Sequence, residues 1–333
     1  MDVEKSDYVP VISLKGINKN FKVKMKNSTK SFFRNFFDRK FEKISALKDL
    51  SLDINEAEIV GYIGPNGAGK SSSIKIMCGI LKPDSGQCIV NGVIPWKNRV
   101  KNAGQIGVVF GQRSQLWWDV PVIDSFELLK EIYKIPNQVY ENNLKELVEL
   151  LKIESIIKMP LRQLSLGQRM RCEFVAVLLH NPKILFLDEP TIGLDSMSKV
   201  IMRNFIKKIN SERKITVVLT THDMQDIEAL ANRIVLIAKG SILFDGSIEQ
   251  FKELALNNKV IKIKHTGGIL PERDNLTIDM ISDFEYRVKL NSKNTDISEV
   301  IRYITDHLNI SDMSISEVNL EDVVVQIYKG YGL

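Results

Sequence analysis

The stretch Gly64-Pro65-Asn66-Gly67-Ala68-Gly69-Lys70-Ser71 constrains this chain more than any other. Its spacing, GxxxxGK followed by Ser or Thr, is that of a phosphate-binding loop, and such a loop needs a strand before it and a helix after it. The flanks supply both. Ile59, Val60, Tyr62 and Ile63 form a short apolar run that reads as a buried strand, and Ser71 to Met77 reads as the helix leaving the loop. Glycines let the backbone wrap closely round a polyphosphate, while the loop amides and the helix N-terminus point at the anion. Lys70 is then the candidate cation for the β and γ phosphates, Ser71 the candidate hydroxyl ligand of a magnesium ion, and Ser72 continues the cradle.

With 333 residues, 44% hydrophobic and 26% charged, the chain has room for one large domain and a smaller one and has the composition of an ordinary globular protein. No run approaches the roughly 20 apolar residues of a membrane helix, and the start, Met1 to Asp7, lacks the apolar stretch of a signal peptide. The expectation is a cytoplasmic chain that meets a membrane only through partners or its surface. Cys78, Cys88 and Cys172 are widely spaced and read as apolar fillers, not as a zinc site or disulfide framework.

The net charge of +5 is uneven. Lys22 to Lys43 holds eight cations against Asp38 and Glu42, and Phe32, Phe33, Phe36, Phe37 and Phe41 recur within it at helical spacing. Two readings stay open, a core helix or an amphipathic helix at a membrane interface. Five phenylalanines suit a membrane surface or a protein groove better than a nucleic-acid backbone. Elsewhere short strands alternate with helices: strands at Val11–Leu14, Leu50–Ile54, Cys88–Val90, Ile106–Phe110, Ile184–Leu187 and Thr216–Leu219, and helices at Ile123–Tyr133, Glu141–Leu151, from Gln163 to about His180, and Ser198–Asn210. That is an α/β pattern with a largely parallel sheet. Ile184–Leu187 ends in Asp188-Glu189-Pro190, placing two carboxylates at a strand's carboxyl end. Past Gly246 the pattern changes, with strands at Lys259–Lys264 and Phe284–Leu290, a helix from Ile297 to Leu308, a short strand through Met313 to Val318 and a last helix from Leu320. This appendage holds no cluster that suggests chemistry and reads as structural or regulatory.

A phosphate loop alone admits kinases, GTPases and motor ATPases. Gly64–Ser71, Gln112, Leu164-Ser165-Leu166-Gly167-Gln168, Ile184–Glu189, Gly193-Leu194-Asp195 and His222, in that order and spacing, resemble the nucleotide-binding subunit of ATP-binding cassette transporters across about residues 10–248. The resemblance implies a P-loop NTPase (RecA-like) core with an antiparallel β subdomain, a helical signature subdomain over about 115–180, and the C-terminal α+β appendage at 249–333. It implies ATP and Mg2+, the metal held by Ser71, Gln112 and Asp188. Glu189 is similar to the family's general base, His222 to the switch histidine on the γ phosphate, and Phe21 to the ring that stacks on adenine. Ser165, Gly167 and Gln168 belong to the signature, which in this family contacts ATP held by a second subunit, and Asp195 lies in the adjoining loop. Two copies, or a close paralogue pair, therefore join head to tail.

Leu166 stands where the family commonly has glycine, and Gly111 is an extra residue before Gln112. The 22–45 insertion replaces a short connection, and polysaccharide exporters also carry an added helix there, so contact of residues 30–44 with a membrane is an expectation. Gly111–Asp119, Pro190–Asp195 and the appendage resemble daunorubicin-resistance-type exporter ATPases, which serve separately encoded six-helix permeases at the cytoplasmic face of the membrane. On that resemblance Trp117, Trp118 and Phe126 are candidates for the permease groove. The alternative is a soluble cassette ATPase acting on ribosomes or nucleic acid.

Overall fold

A computed structural model describes residues 9–24, 41–110, 114–254, 260–290, 296–316 and 320–331. The chain divides into two compact units, Met1–Asp245 and Gly246–Leu333. Up to that boundary the elements run β1 (Ile12–Lys24), β2 (Phe41–Ile54), β3 (Ile59–Ile63), α1 (Lys70–Met77), β4 (Ser85–Val90), α2 (Arg99–Ala103), β5 (Ile106–Phe110), α3 (Val122–Tyr133), α4 (Asn137–Leu151), α5 (Leu166–Leu178), β6 (Ile184–Asp188), α6 (Ser196–Arg213), β7 (Thr216–Thr220), α7 (Met224–Leu230), β8 (Arg233–Ala238) and β9 (Ser241–Ser247).

The central sheet has the order β5-β6-β7-β3-β8-β9, and its first five strands pair in parallel. Every residue of β3 and β7 is buried, the condition under which a strand is written as a continuous apolar run. Because β3 lies between β7 and β8, the carboxyl ends of β3, β6 and β7 sit side by side. Ligands of open α/β sheets collect at that edge. A second sheet, β2-β1-β4, is antiparallel, and Ile12, Leu14, Ile17, Leu47 and Leu50 from it share one core with Val60, Tyr62, Ile74, Met77 and Phe186. Helix α4 packs on α5 and α6, and α3 on α5.

The antiparallel sheet corrects one expectation. The first strand does not stop at Leu14: β1 stays paired with β2 from Ile12 opposite Ile54 to Lys24 opposite Phe41. Phe41, expected at the end of a helix that starts near Phe32, is therefore strand, and Lys22–Lys24 at the start of the basic segment continue β1, because ladder hydrogen bonds between the two strands extend the pairing across the register shifts that break the alternation between Leu14 and Asn20. Positions 25–40, with Phe32, Phe33, Phe36 and Phe37, lie outside the described residues.

The second unit contains α8 (Ile248–Glu253), β10 (Val260–Gly268), β11 (Leu276–Ser282), β12 (Glu285–Leu290), α9 (Ile297–His307), β13 (Leu308–Ser316) and α10 (Leu320–Gly330). Its antiparallel sheet has the order β11-β12-β10-β13, over a core of Ile261, Ile263, Tyr286, Val288, Val300 and Ile304. Strand β11 alternates apolar and polar residues from Leu276 to Met280 and was missed in the sequence reading. Among the described residues, no helix is long and apolar enough to cross a membrane.

Candidate functional site

The phosphate loop joins β3 to α1 as its spacing predicts. Gly69 adopts φ +111°, and a Cβ there would stand 2.6 Å from the carbonyl oxygen of Ala46 in β2. Only glycine satisfies both conditions. The loop is further pinned by Gly240, which donates to the Ala68 carbonyl while its own carbonyl accepts from Lys48. Lys70 is 8% exposed, and its ammonium donates to the carbonyl of Gly64 and, at 3.2 Å, to that of Pro65. Burial holds its pKa below the ordinary lysine value, against the opposing pull of Glu189 and Asp188.

Those carboxylates close β6. Asp188 accepts a hydrogen bond from Thr220 at 2.5 Å, the last residue of the neighbouring strand β7. Glu189 follows with a left-handed backbone, φ 55°, a conformation uncommon outside glycine and asparagine. Its amide donates to the Thr220 carbonyl at 2.9 Å, so strand pairing sustains the turn. The turn delivers the Glu189 carboxylate to His222, whose Nε2 lies 2.9 Å from Oε1.

Behind this pair is a network that sequence reading missed. Asp226, fully buried, accepts from the hydroxyls of Thr191 and Thr221 and from Arg203 Nε at 2.5 Å. Thr191 lies two residues after Glu189, and Thr221 precedes His222. One carboxylate therefore fixes both approaches to the acidic pair. The only signal was an aspartate at the fourth position after His222, which chemistry alone does not distinguish from a surface charge.

The signature residues open α5. Ser165 is its N-cap: the hydroxyl accepts from Gln168 N at 3.3 Å, and the Gln168 side chain accepts from Ser165 N at 2.9 Å. Gln168 is thus engaged in a capping box. A Cβ on Gly167 would stand 2.6 Å from Ser198 Oγ, in the first turn of α6, which Asp195 caps by accepting from Ser198 N. The α5 and α6 N-termini are therefore neighbours. Among the described residues, no hydrogen bond or ion pair joins Ser165, Leu166 or Gly167 to the phosphate loop of the same chain.

Phe21 is 37% exposed and pairs with Ile44, two residues before the Ala46 carbonyl that meets Gly69. Gln112 lies outside the described residues. Trp117 and Trp118 are 43% and 50% exposed, but Phe126 is fully buried. The assignment of Phe126 to a partner groove is corrected: it lies on the inward face of amphipathic α3, which one-dimensional proximity to the tryptophans could not reveal. Cys88 and Cys172 are buried and Cys78 is half-buried, and burial pushes the Cys88 and Cys172 thiols up to about 12.

Among the described residues no cluster of three or more His, Cys, Asp or Glu forms a metal cage. The donor set fits magnesium, which leans on one or two carboxylates and on substrate phosphates instead of an all-protein site.

The family profile described as "ABC transporter" matches residues 47–192. The uncharacterized ABC transporter ATP-binding protein YdbJ of Bacillus subtilis is 32% identical over 212 residues, 64% of this chain and 68% of that protein. ABC transporter A family member 8 of Dictyostelium discoideum is 30% identical over 88% of this chain, which spans 37% of that relative's length. Among solved structures, a dimeric post-hydrolysis state of the ATP-binding cassette MJ0796 bound to ADP and Pi aligns with a TM-score of 0.59 and 27% identity, over 71% of this chain and 98% of that one. The chain belongs to the ATP-binding cassette transporter family, as one of its ATP-binding ATPase chains.

Proposed function

We propose that this chain binds and hydrolyses ATP to power a separately encoded six-helix permease, in the export direction, from the cytoplasmic face of the membrane. The observation that carries the reading is the joining of Glu189 to His222 at 2.9 Å, at the sheet edge that also holds the phosphate loop and Asp188. Lys70 and the loop amides bind the β and γ phosphates, and Phe21 offers its ring to adenine. Asp188 and Ser71 hold magnesium, together with Gln112. That ion, when bound, neutralises charge on the phosphate oxygens. Glu189 orients and polarises the attacking water, and His222 holds Glu189 in place.

The site is completed in trans. Ser165 uses its lone pair on Gln168, which leaves its hydroxyl proton for an anion, and the α5 N-terminus favours negative charge. Presented to a second copy or a close paralogue, Ser165 and Gly167 close on the γ phosphate bound there, with Asp195 and α6 alongside. Residues 1–248 form the cassette in this reading and 249–333 an accessory domain, structural or regulatory, while residues 30–44 meet the membrane surface. The export direction is supported by the phrases Gly111–Asp119 and Pro190–Asp195.

Trp117 and Trp118 form the permease contact, and Gln115, two residues before them, lines a cleft of about 160 Å3 with Ile80, Val108 and Tyr133. Half-exposed aromatic rings suit an interface anchor. Trp117→Ala is expected to weaken capture of a co-expressed six-helix membrane protein by about tenfold or more, read by co-purification from detergent. Undiminished capture would remove Trp117 from the interface.

The reading as a whole is tested by phosphate release from the purified full chain. Hydrolysis is expected with magnesium and is expected to stop when EDTA removes it. Binding of ATP without release, with or without the metal and with or without the permease, would overturn it.

A further inference from the structure

The first two turns of α5 hold two residues that the chemistry above does not use. Arg169 and Glu173 are four apart, so they share one face of the helix. Both reach the same segment, Ser114–Trp118, which lies more than fifty residues earlier in sequence. The Arg169 guanidinium stacks on the Trp118 ring, 4.4 Å from its centroid. Its Nε and Nη2 also donate to the carbonyls of Leu161 and Arg162, at 3.2 and 3.1 Å. The Arg162 amide in turn donates to the Trp118 carbonyl at 3.0 Å.

One turn further on, Glu173 is 6% exposed in mid-helix, where a carboxylate is costly unless it is hydrogen-bonded. It is bonded to the same segment. Its oxygens accept from the Ser114 hydroxyl and from Gln115 N at 3.4 Å, and the Ser114 oxygen accepts from Leu116 N at 3.0 Å. Burial raises the Glu173 pKa, and the donors of Ser114, Gln115 and Leu116 oppose that rise.

We propose that Arg169 and Glu173 are positioning residues, a two-point clamp that makes Ser114–Trp118 and the α5 N-terminus move as one body. The clamp rests on the reading above, in which Trp117 and Trp118 face the permease and Ser165 and Gly167 face a second copy's nucleotide. Ser165 is one turn from Arg169, so a push on Trp118 displaces the signature without passing through the phosphate loop. A buried acid and a stacked cation suit this task because neither yields by rotamer exchange as an exposed surface pair does.

The test uses the full chain in two arms. Hydrogen–deuterium exchange on the free protein compares wild type with Arg169→Ala and Glu173→Ala, and with the size-conserving Arg169→Lys and Glu173→Gln. Amides at 115–118 are expected to exchange about tenfold faster in the alanine variants and to recover only in part in Arg169→Lys, which keeps the charge without the planar stack, and in Glu173→Gln, which keeps one accepting oxygen. In a Glu189→Gln background, the ATP concentration for half-maximal dimerisation is expected to rise about tenfold in the alanine variants, while the separate chain's affinity for a fluorescent ATP analogue is unchanged. Unchanged exchange at 115–118, or a rise spread equally over β3 and α1, overturns the clamp. Faster local exchange with an unmoved dimerisation midpoint leaves only local structure and overturns the transmission. Failure of the Glu189→Gln chain to bind ATP or dimerise sinks the ATPase reading itself, and the exchange arm still decides whether the clamp exists.

Discussion

Glu189→Gln is expected to lower ATP turnover by about 10²- to 10⁴-fold, the range that a positioned general base contributes, while ATP binding persists and a dimer accumulates in ATP. The substitution is nearly isosteric. The substituted side chain has the same length and still stands beside His222 Nε2, which lies 2.9 Å from Oε1 of Glu189, and the backbone turn at φ 55° is untouched, since the hydrogen bond from its backbone N–H to the Thr220 carbonyl does not involve the side chain. What is lost is the capacity to draw a proton from water. Binding depends on Lys70 and the loop, so it survives, and the closed dimer persists because nothing discharges it. Phosphate release and size-exclusion chromatography in ATP check the two halves. Turnover within threefold of wild type would move the base to another residue.

Asp226→Ala should be the most damaging substitution away from the nucleotide. Its carboxylate is fully buried and bonded to Arg203 at 2.5 Å and to two threonine hydroxyls. Arg203 itself is 15% exposed, with Asp223 at 3.6 Å as its other acid. Removing one member of a buried pair leaves an uncompensated charge and costs about 3–5 kcal/mol. In a unit of this size each kcal/mol lowers Tm by about 2–4 °C, so thermal unfolding should fall by roughly 6–20 °C. The double variant Asp226→Ala with Arg203→Met should recover part of this loss, because both buried charges then leave together. Surviving Asp226→Ala protein should also turn over ATP slowly, because Thr191 and Thr221, which adjoin Glu189 and His222, lose their common anchor. A double variant no more stable than the single one would show that the cost is cavity and packing, not unpaired charge.

Much of the site was legible because its chemistry is local. Gly69, Lys70 and Ser71 work within one loop and one helical turn, and Ser165 with Gln168 form a capping box whose spacing is its own signature. Asp188 and Glu189 follow an apolar run that had to be a buried strand. The helices α3 to α6 were readable, give or take a turn, from their amphipathic spacing. Strand β1 was cut short in the reading because the register shifts between Leu14 and Asn20 break its alternation, which resumes at Phe21-Lys22-Val23-Lys24.

By itself, then, the sequence determined where the strand–loop–helix of the phosphate-loop motif falls, which acids end a buried strand, and the order of strand and helix that fixes the fold class. Only the tertiary structure decided which segments become neighbours: β3 inserted between β7 and β8, Asp226 tied to Thr191 and Arg203, Arg169 and Glu173 gripping Ser114–Trp118, and Phe126 turned inward while Trp117 and Trp118 face solvent. The physical reason is that short-range motifs are set by backbone spacing along the chain. A buried ion pair or a stacked ring is set instead by packing between segments dozens of residues apart, and each partner alone reads as an ordinary polar or apolar residue.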